Sequence, residues 1–104
     1  MSAWRVRLTD MAVADIREAA AYMADQLANP MAADDFLDEV QAKVDMLKKS
    51  PESYARARDF DLAKAGYRWC PVGSFLMFFI ADDTHHFVCV ERVLFGARDW
   101  KSLL

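Results

Sequence analysis

The spacing of apolar residues changes several times along this chain, and each change marks an element. Trp4, Val6 and Leu8 alternate with Arg5 and Arg7, the two-residue period of a half-buried strand with a basic outer face. Beyond Thr9 and Asp10, either of which can cap a helix, Ala12, Ile16, Ala19, Ala20, Met23 and Leu27 recur at intervals of three and four. That spacing predicts one apolar stripe on an amphipathic helix, with Asp15, Arg17, Glu18 and Asp25 pointing elsewhere. Asn29-Pro30 interrupts the stripe and restarts it, Asn29 as cap and Pro30 in the first helical position, where its missing N–H is no loss. Phe36, Leu37, Val40, Val44 and Leu47 carry the second stripe, and Ser50-Pro51 ends it. Two helices with a short joint, and with small residues at Ala19 to Ala21 for close approach, make an αα-hairpin.

Residues 51 to 65 are mixed in charge and read as an irregular connection. Three apolar runs follow, Tyr67 to Val72, Phe75 to Ile80 and Phe87 to Leu94, rich in aromatic and β-branched residues. Gly73-Ser74 and Ala81-Asp82-Asp83-Thr84 separate them, the signature of two successive hairpins. The middle run is apolar on both faces, so it belongs at the centre of a sheet covered on both sides. The expected fold is α+β in the order β-α-α-β-β-β, an N-terminal strand and an αα-hairpin packed on an antiparallel meander, ending in a short tail, as one domain over 1–104.

Composition narrows the function. A net charge of -3 and a pI near 5.2 do not suit a protein that holds nucleic acid by its phosphates. No apolar run reaches the roughly 18 residues of a membrane helix, and no signal peptide is evident, so a cytoplasmic protein is expected. Cys70 and Cys89, on what read as adjacent strands, are then expected reduced and buried.

Catalytic groups are few. The chain has no glycine-rich phosphate loop and no CxxC, and nothing in it calls for a metal or another cofactor. Asp34, Asp35, Asp38 and Glu39 at the start of the second helix, with Lys43, Lys48 and Lys49 at its end, complement the helix dipole. His85-His86 falls in a hairpin turn, where neighbouring side chains splay apart. Arg68, Arg92 and Arg98 are the cations that the meander and its tail could gather on one rim, to grip a phosphodiester or an acidic protein segment. Lys64, Phe95 and Trp100 complete the candidate contact residues.

Several strings, taken together in order, resemble the RelE/ParE superfamily of bacterial toxins, the toxin halves of type II toxin–antitoxin pairs. WRVRLTDMAVADIREAAAYMADQLANPMAADDF is similar to the first strand, first helix and entry to the second helix of that group, and VDMLKKSPE to its helix exit. GYRWCPVGSFLMFFI is similar to its first hairpin, and RVLFGARDW to its common ending. The resemblance implies a cognate antitoxin that wraps the toxin and alone contacts operator DNA. It leaves a homodimer open. RelE-like members cleave mRNA on the ribosome without metal, using basic residues on the sheet and a Tyr or His near the C-terminus. Arg68 and Arg98 match two of the basic positions, but Cys70 and Leu76 stand where others belong, Phe95 stands where many relatives carry His, and no Tyr follows Trp100. Such cleavage needs a proton acceptor and a proton donor as well as cations. The resemblance therefore leans toward the ParE-like branch, which inhibits DNA gyrase by protein–protein contact. The alternatives are a ribosome-dependent endoribonuclease using Arg68 and Arg98, and a non-toxic binding member of the fold.

Overall fold

The computed structural model describes residues 3–57, 60–96 and 100–104, the side chains of Phe60, Trp100 and Lys101 excepted. Strand β1 (Arg5–Leu8) leads into α1 (Asp10–Ala21), which continues as a π-helical turn (Tyr22–Gln26). Helix α2 (Pro30–Lys49) and a single 3-10 turn (Pro51–Ser53) follow. A short α3 (Phe60–Lys64) precedes the meander of β2 (Tyr67–Val72), β3 (Phe75–Asp82) and β4 (Phe87–Phe95), and α4 (Trp100–Leu103) closes the chain. The β-α-α-β-β-β order read from the sequence is present. Two short helices are added, because the connection that read as irregular and the short tail each wind into about one turn.

The sheet order is β1-β4-β3-β2. The meander pairs antiparallel, and β1 joins β4 in parallel with Arg5 opposite Phe87 and Leu8 opposite Val90. Strand β3 is thus internal and lies between β2 and β4. Cys70 and Cys89 are consequently not on neighbouring strands, a correction to the sequence reading; both thiols are free, Cys70 buried and Cys89 partly exposed. The helical hairpin covers one face, where Ala12, Ile16, Phe36, Val40 and Leu47 meet Val72, Met77, Phe79, Val88 and Val90. On the other face Phe78 and Leu94 lie under Ala57 and Leu62, with Tyr67, Trp69, Leu103 and Leu104 packed around them. Phe78 and Phe79 are both fully buried, on opposite faces of one strand. Burying each contributes about 1.5–3 kcal/mol, which is why a two-sided apolar strand must be internal.

The helix caps are those the sequence predicts. The Thr9 hydroxyl accepts from the Ala12 N–H at 3.0 Å, and the Asn29 side chain accepts from the Ala32 N–H at 3.1 Å with Pro30 in the first turn. Two stripe residues depart from expectation. Leu27 and Leu37 are exposed rather than buried. The π-turn inserts an extra residue just before Leu27, which rotates it off the face that holds Ile16 and Ala19. Leu37 lies one position beyond Phe36, about 100° around the helix from the buried line of Ala33, Phe36 and Val40.

One irregularity in β4 decides which of its residues face the helices. Phe78 pairs with Arg92 but Phe79 pairs with Val90, so Glu91 is the extra residue of a β-bulge. The bulge shifts the alternation by one, and Val88, Val90 and Val93 all pack on the helical side. Thr9 fixes it from α1: its hydroxyl donates to the Glu91 carbonyl at 2.7 Å while its N–H donates to Val90 at 3.0 Å.

Candidate functional site

The basic residues singled out in the sequence do not form one cluster. Arg68 pairs with Phe79 and Arg92 with Phe78, and those two phenylalanines face opposite sides of the sheet. Arg68 donates from Nη1 to the Tyr54 carbonyl at 2.6 Å and lines a small cleft of about 120 Å³ with Arg56, Glu52 and Asp83. There a side-chain hydrogen bond to Asp83, then its charge, raises the carboxyl pKa of Glu52, while Arg68 and His86 act in the opposite direction. Lys64 is exposed at the end of α3. Arg98 lies outside the described residues. Trp100 opens α4, and its side chain lies outside them too.

Arg92 is engaged within the fold. Its Nε and Nη2 donate to the two Asp15 carboxylate oxygens at 2.7 and 2.8 Å, and its Nη1 donates to the Leu103 carbonyl at 3.1 Å. Asp15 also accepts from the Val93 N–H at 3.0 Å. Strand β1 pairs with β4 only as far as Val90, so the Val93 N–H has no strand to reach, and the carboxylate takes that place. The side chains of Arg92 and Asp15 are 13% and 11% exposed. Donating these hydrogen bonds to Asp15 raises the Arg92 pKa further. One arginine thus ties α1, β4 and the C-terminal helix together. The sequence placed Asp15 on the outward face, and nothing local marks a partner 77 residues away.

Where the first helix ends, an apolar groove opens. Two adjoining clefts of about 490 and 410 Å³ share Tyr22, Phe75 and Phe95. Ala19 and Val93 extend one end, and Met23, Leu27, Phe36 and Val72 line the other. Tyr22 and Leu27 are each 56% exposed and Phe95 is 45% exposed, against a core that is otherwise closed. The rings of Phe36, Phe75 and Phe95 form a continuous wall, with centroids 5.1 and 5.6 Å apart along it. Glu39 holds the β2–β3 turn in place by accepting from the Gly73 N–H at 3.2 Å. Gly73 has φ +57, a left-handed conformation that suits glycine. Of the candidate contact residues read from the sequence, and among the described side chains, Phe95 alone lines this groove. The signal for the rest was weak: Tyr22 falls off the stripe of α1 but follows it closely enough to pass as a helix-end residue.

His85 donates into its own turn, its ring nitrogen lying 2.8 Å from Asp82, and His86 stacks on Trp4 with centroids 4.0 Å apart. The two rings therefore diverge. Among the described residues, no three His, Cys, Asp or Glu side chains are placed to hold one metal ion, and no helix is long and apolar enough to cross a membrane.

Comparison with known proteins gives this arrangement a family. Among solved structures, a chain from the chromosomal ParDE toxin–antitoxin system of P. aeruginosa superposes with a TM-score of 0.71 at 16% identity, covering 88% of this chain and 95% of its own. A chain of the RelBE2 toxin–antitoxin complex from Mycobacterium tuberculosis superposes with a TM-score of 0.61 at 19% identity, covering 89% of this chain and 98% of its own. At those identities the likeness is one of fold. No curated protein matches the sequence. The family model for the ParE toxin of the type II toxin–antitoxin system, parDE, matches residues 6–100, from β1 to the start of α4. The chain therefore belongs to the ParE toxin family of type II toxin–antitoxin systems.

Proposed function

We propose that this toxin inhibits DNA gyrase by protein–protein contact in the cytoplasm, and that a cognate antitoxin covers it until released. The observation that carries the reading is the separation of its cations. Arg68 and Arg92 stand on opposite faces of the sheet, and Arg92 is spent on Asp15 and Leu103. Cleavage of RNA by its own 2′-hydroxyl needs cations around one phosphate with a proton acceptor and donor beside them. Among the described residues no such group forms around Arg68, whose neighbours are a backbone carbonyl, another arginine and two carboxyls. The burial of Cys70 raises its thiol pKa, so it is no substitute base. The match to the ParE family supports the same direction, and the two solved neighbours, both from toxin–antitoxin systems, support an antitoxin partner. Contact with operator DNA then falls to the antitoxin, consistent with a net charge of -3 on the toxin.

The test is a supercoiling assay with purified gyrase and relaxed plasmid. Stoichiometric toxin is expected to abolish supercoiling, and translated reporter mRNA in a reconstituted system is expected to stay intact. Unimpaired supercoiling, with ribosome-dependent cuts that disappear in Arg98→Ala, would replace this reading with mRNA cleavage.

A further inference from the structure

The turn Tyr22–Gln26 holds one residue more than an α-helical turn does, and it borders the apolar groove. In this winding the Leu27 N–H donates to the Tyr22 carbonyl at 3.1 Å, and the Asn29 N–H donates to the Met23 carbonyl at 2.9 Å. Leu27 is thereby turned outward, 56% exposed, and Ala28 is held at φ 49. Both features are unfavourable. An exposed leucine forgoes apolar burial, and a left-handed backbone crowds the Cβ of a residue other than glycine. A second winding is open to the same residues. With α-helical bonding the Met23 carbonyl accepts from the Leu27 N–H instead, and Leu27 falls in line with Ile16, Ala20 and Met23. The change carries Leu27 around the helix by one residue's arc, about 100°. Met23, the nearest member of that line, already packs on the core and borders the cleft of about 410 Å³ with Phe36 and Val72. The Asn29 N–H gives up its carbonyl, but Asn29 is exposed and water takes that place. Ala28 lies between the turn and the cap of α2, so it absorbs the rotation as it leaves positive φ.

We propose that the turn Tyr22–Gln26 is a register switch for the groove: winding from π to α moves the Leu27 side chain into the cleft beside Met23 and Phe36 and closes it. The Met23 carbonyl separates the two states, accepting from Asn29 when the groove is open and from Leu27 when it is closed. The switch is a property of the chain by itself and stands whichever cellular target the toxin has. The structure holds the open register, which makes the closed one a minor state, roughly 1–10% populated. Two packings of one helix end interconvert as discrete states, in microseconds to milliseconds. A molecule that fills the groove selects the open register and depletes the closed one.

Relaxation dispersion on the full chain, labelled at its amides and leucine methyls, tests the switch. Exchange is expected at the amides of Leu27, Ala28 and Asn29 and at the Leu27 methyls. The minor-state shift of those methyls is expected upfield, because the Phe36 ring shields them. Absence of exchange at Leu27 overturns the proposal. So does a minor state at the shift of an unstructured chain, which reports fraying of the helix end. Deleting the exposed Asp25 removes the extra residue, winds the turn as α and leaves Leu27 pointing outward. Dispersion at Leu27 is expected to vanish in this variant, and its persistence overturns the proposal. Ala28→Gly keeps the chain length and relieves the left-handed residue of the open register, so the minor population is expected to fall roughly two- to fivefold. An unchanged or larger minor population in Ala28→Gly overturns the proposal, whether or not the deletion variant folds.

Discussion

Replacing Arg92 by alanine leaves Asp15 with a buried charge whose main partner is gone. Both side chains are nearly hidden, the hydrogen bonds are bidentate, and a third runs to Leu103. Breaking a buried pair from one side costs about 3–5 kcal/mol, because an uncompensated charge remains in a poorly solvated place. Unfolding entropy of roughly 2.1 cal/mol/K per residue makes each kcal/mol worth about 4–5 °C in a chain of this length. Arg92→Ala is thus expected to lower the melting temperature by roughly 14–23 °C. Asp15→Leu combined with Arg92→Met removes both charges and keeps the volume. It is expected to recover most of the loss, apart from roughly 1 kcal/mol each for the hydrogen bonds of the Val93 N–H and the Leu103 carbonyl. Calorimetry and urea titration of the four proteins of this cycle give the coupling energy. A fall of less than about 4 °C in Arg92→Ala, or a double variant as unstable as the sum of its singles, would refute the reasoning and return Arg92 to the list of target contacts.

Other substitutions probe other parts of the argument. Thr9→Val removes both the cap of α1 and the donor to the bulge carbonyl of Glu91, and is expected to destabilise by about 1–2 kcal/mol in urea titration. Ala28 sits at φ 49 between the helices, so Ala28→Gly is expected to stabilise by about 0.5–1 kcal/mol, seen as a rise in melting temperature of a few degrees. Burial, then a hydrogen bond to Cys70, pushes the Tyr54 hydroxyl up to about 12. Its pKa is therefore higher folded than unfolded, so its contribution is complete below the ordinary tyrosine value of about 10 and disappears as pH climbs to 12. Tyr54→Phe is expected to flatten the decline in melting temperature measured between about pH 10 and 12. Burial likewise raises the thiols of Cys70 and Cys89, so Ellman's reagent at pH 7.5 is expected to label Cys89 slowly and Cys70 only after unfolding.

The elements that depend on local pattern were legible in the sequence, and the parts that depend on distant partners were not. Asn29-Pro30 and Ser50-Pro51 each act within a turn of their own position, and the boundaries of α2 follow from them. The aromatic run of β3 announced an internal strand because no one-sided burial could use it. The parallel pairing of β1 with β4 has no local mark; alternation shows that Trp4, Val6 and Leu8 form a strand, not which strand they join. The same holds for Arg92 and Asp15. An arginine late in a strand and an aspartate on a helix are both common surface residues, and only packing makes them a pair. The groove was missed for a different reason. A π-turn cannot be read from a run such as Tyr22 to Gln26, yet it is the device that turns Leu27 out of the core.

The joining of β1 to β4 also sets the order in which this molecule can come into being. Synthesis makes β1 first, and the residue that Thr9 must hold, Glu91, follows 82 positions later. Until then the parallel edge has no template, and the valines that α1 covers do not exist. Closing so long a loop makes folding slow relative to a helix bundle of this size. An interrupted translation product therefore carries a helical hairpin with no sheet beneath it to cover its apolar face.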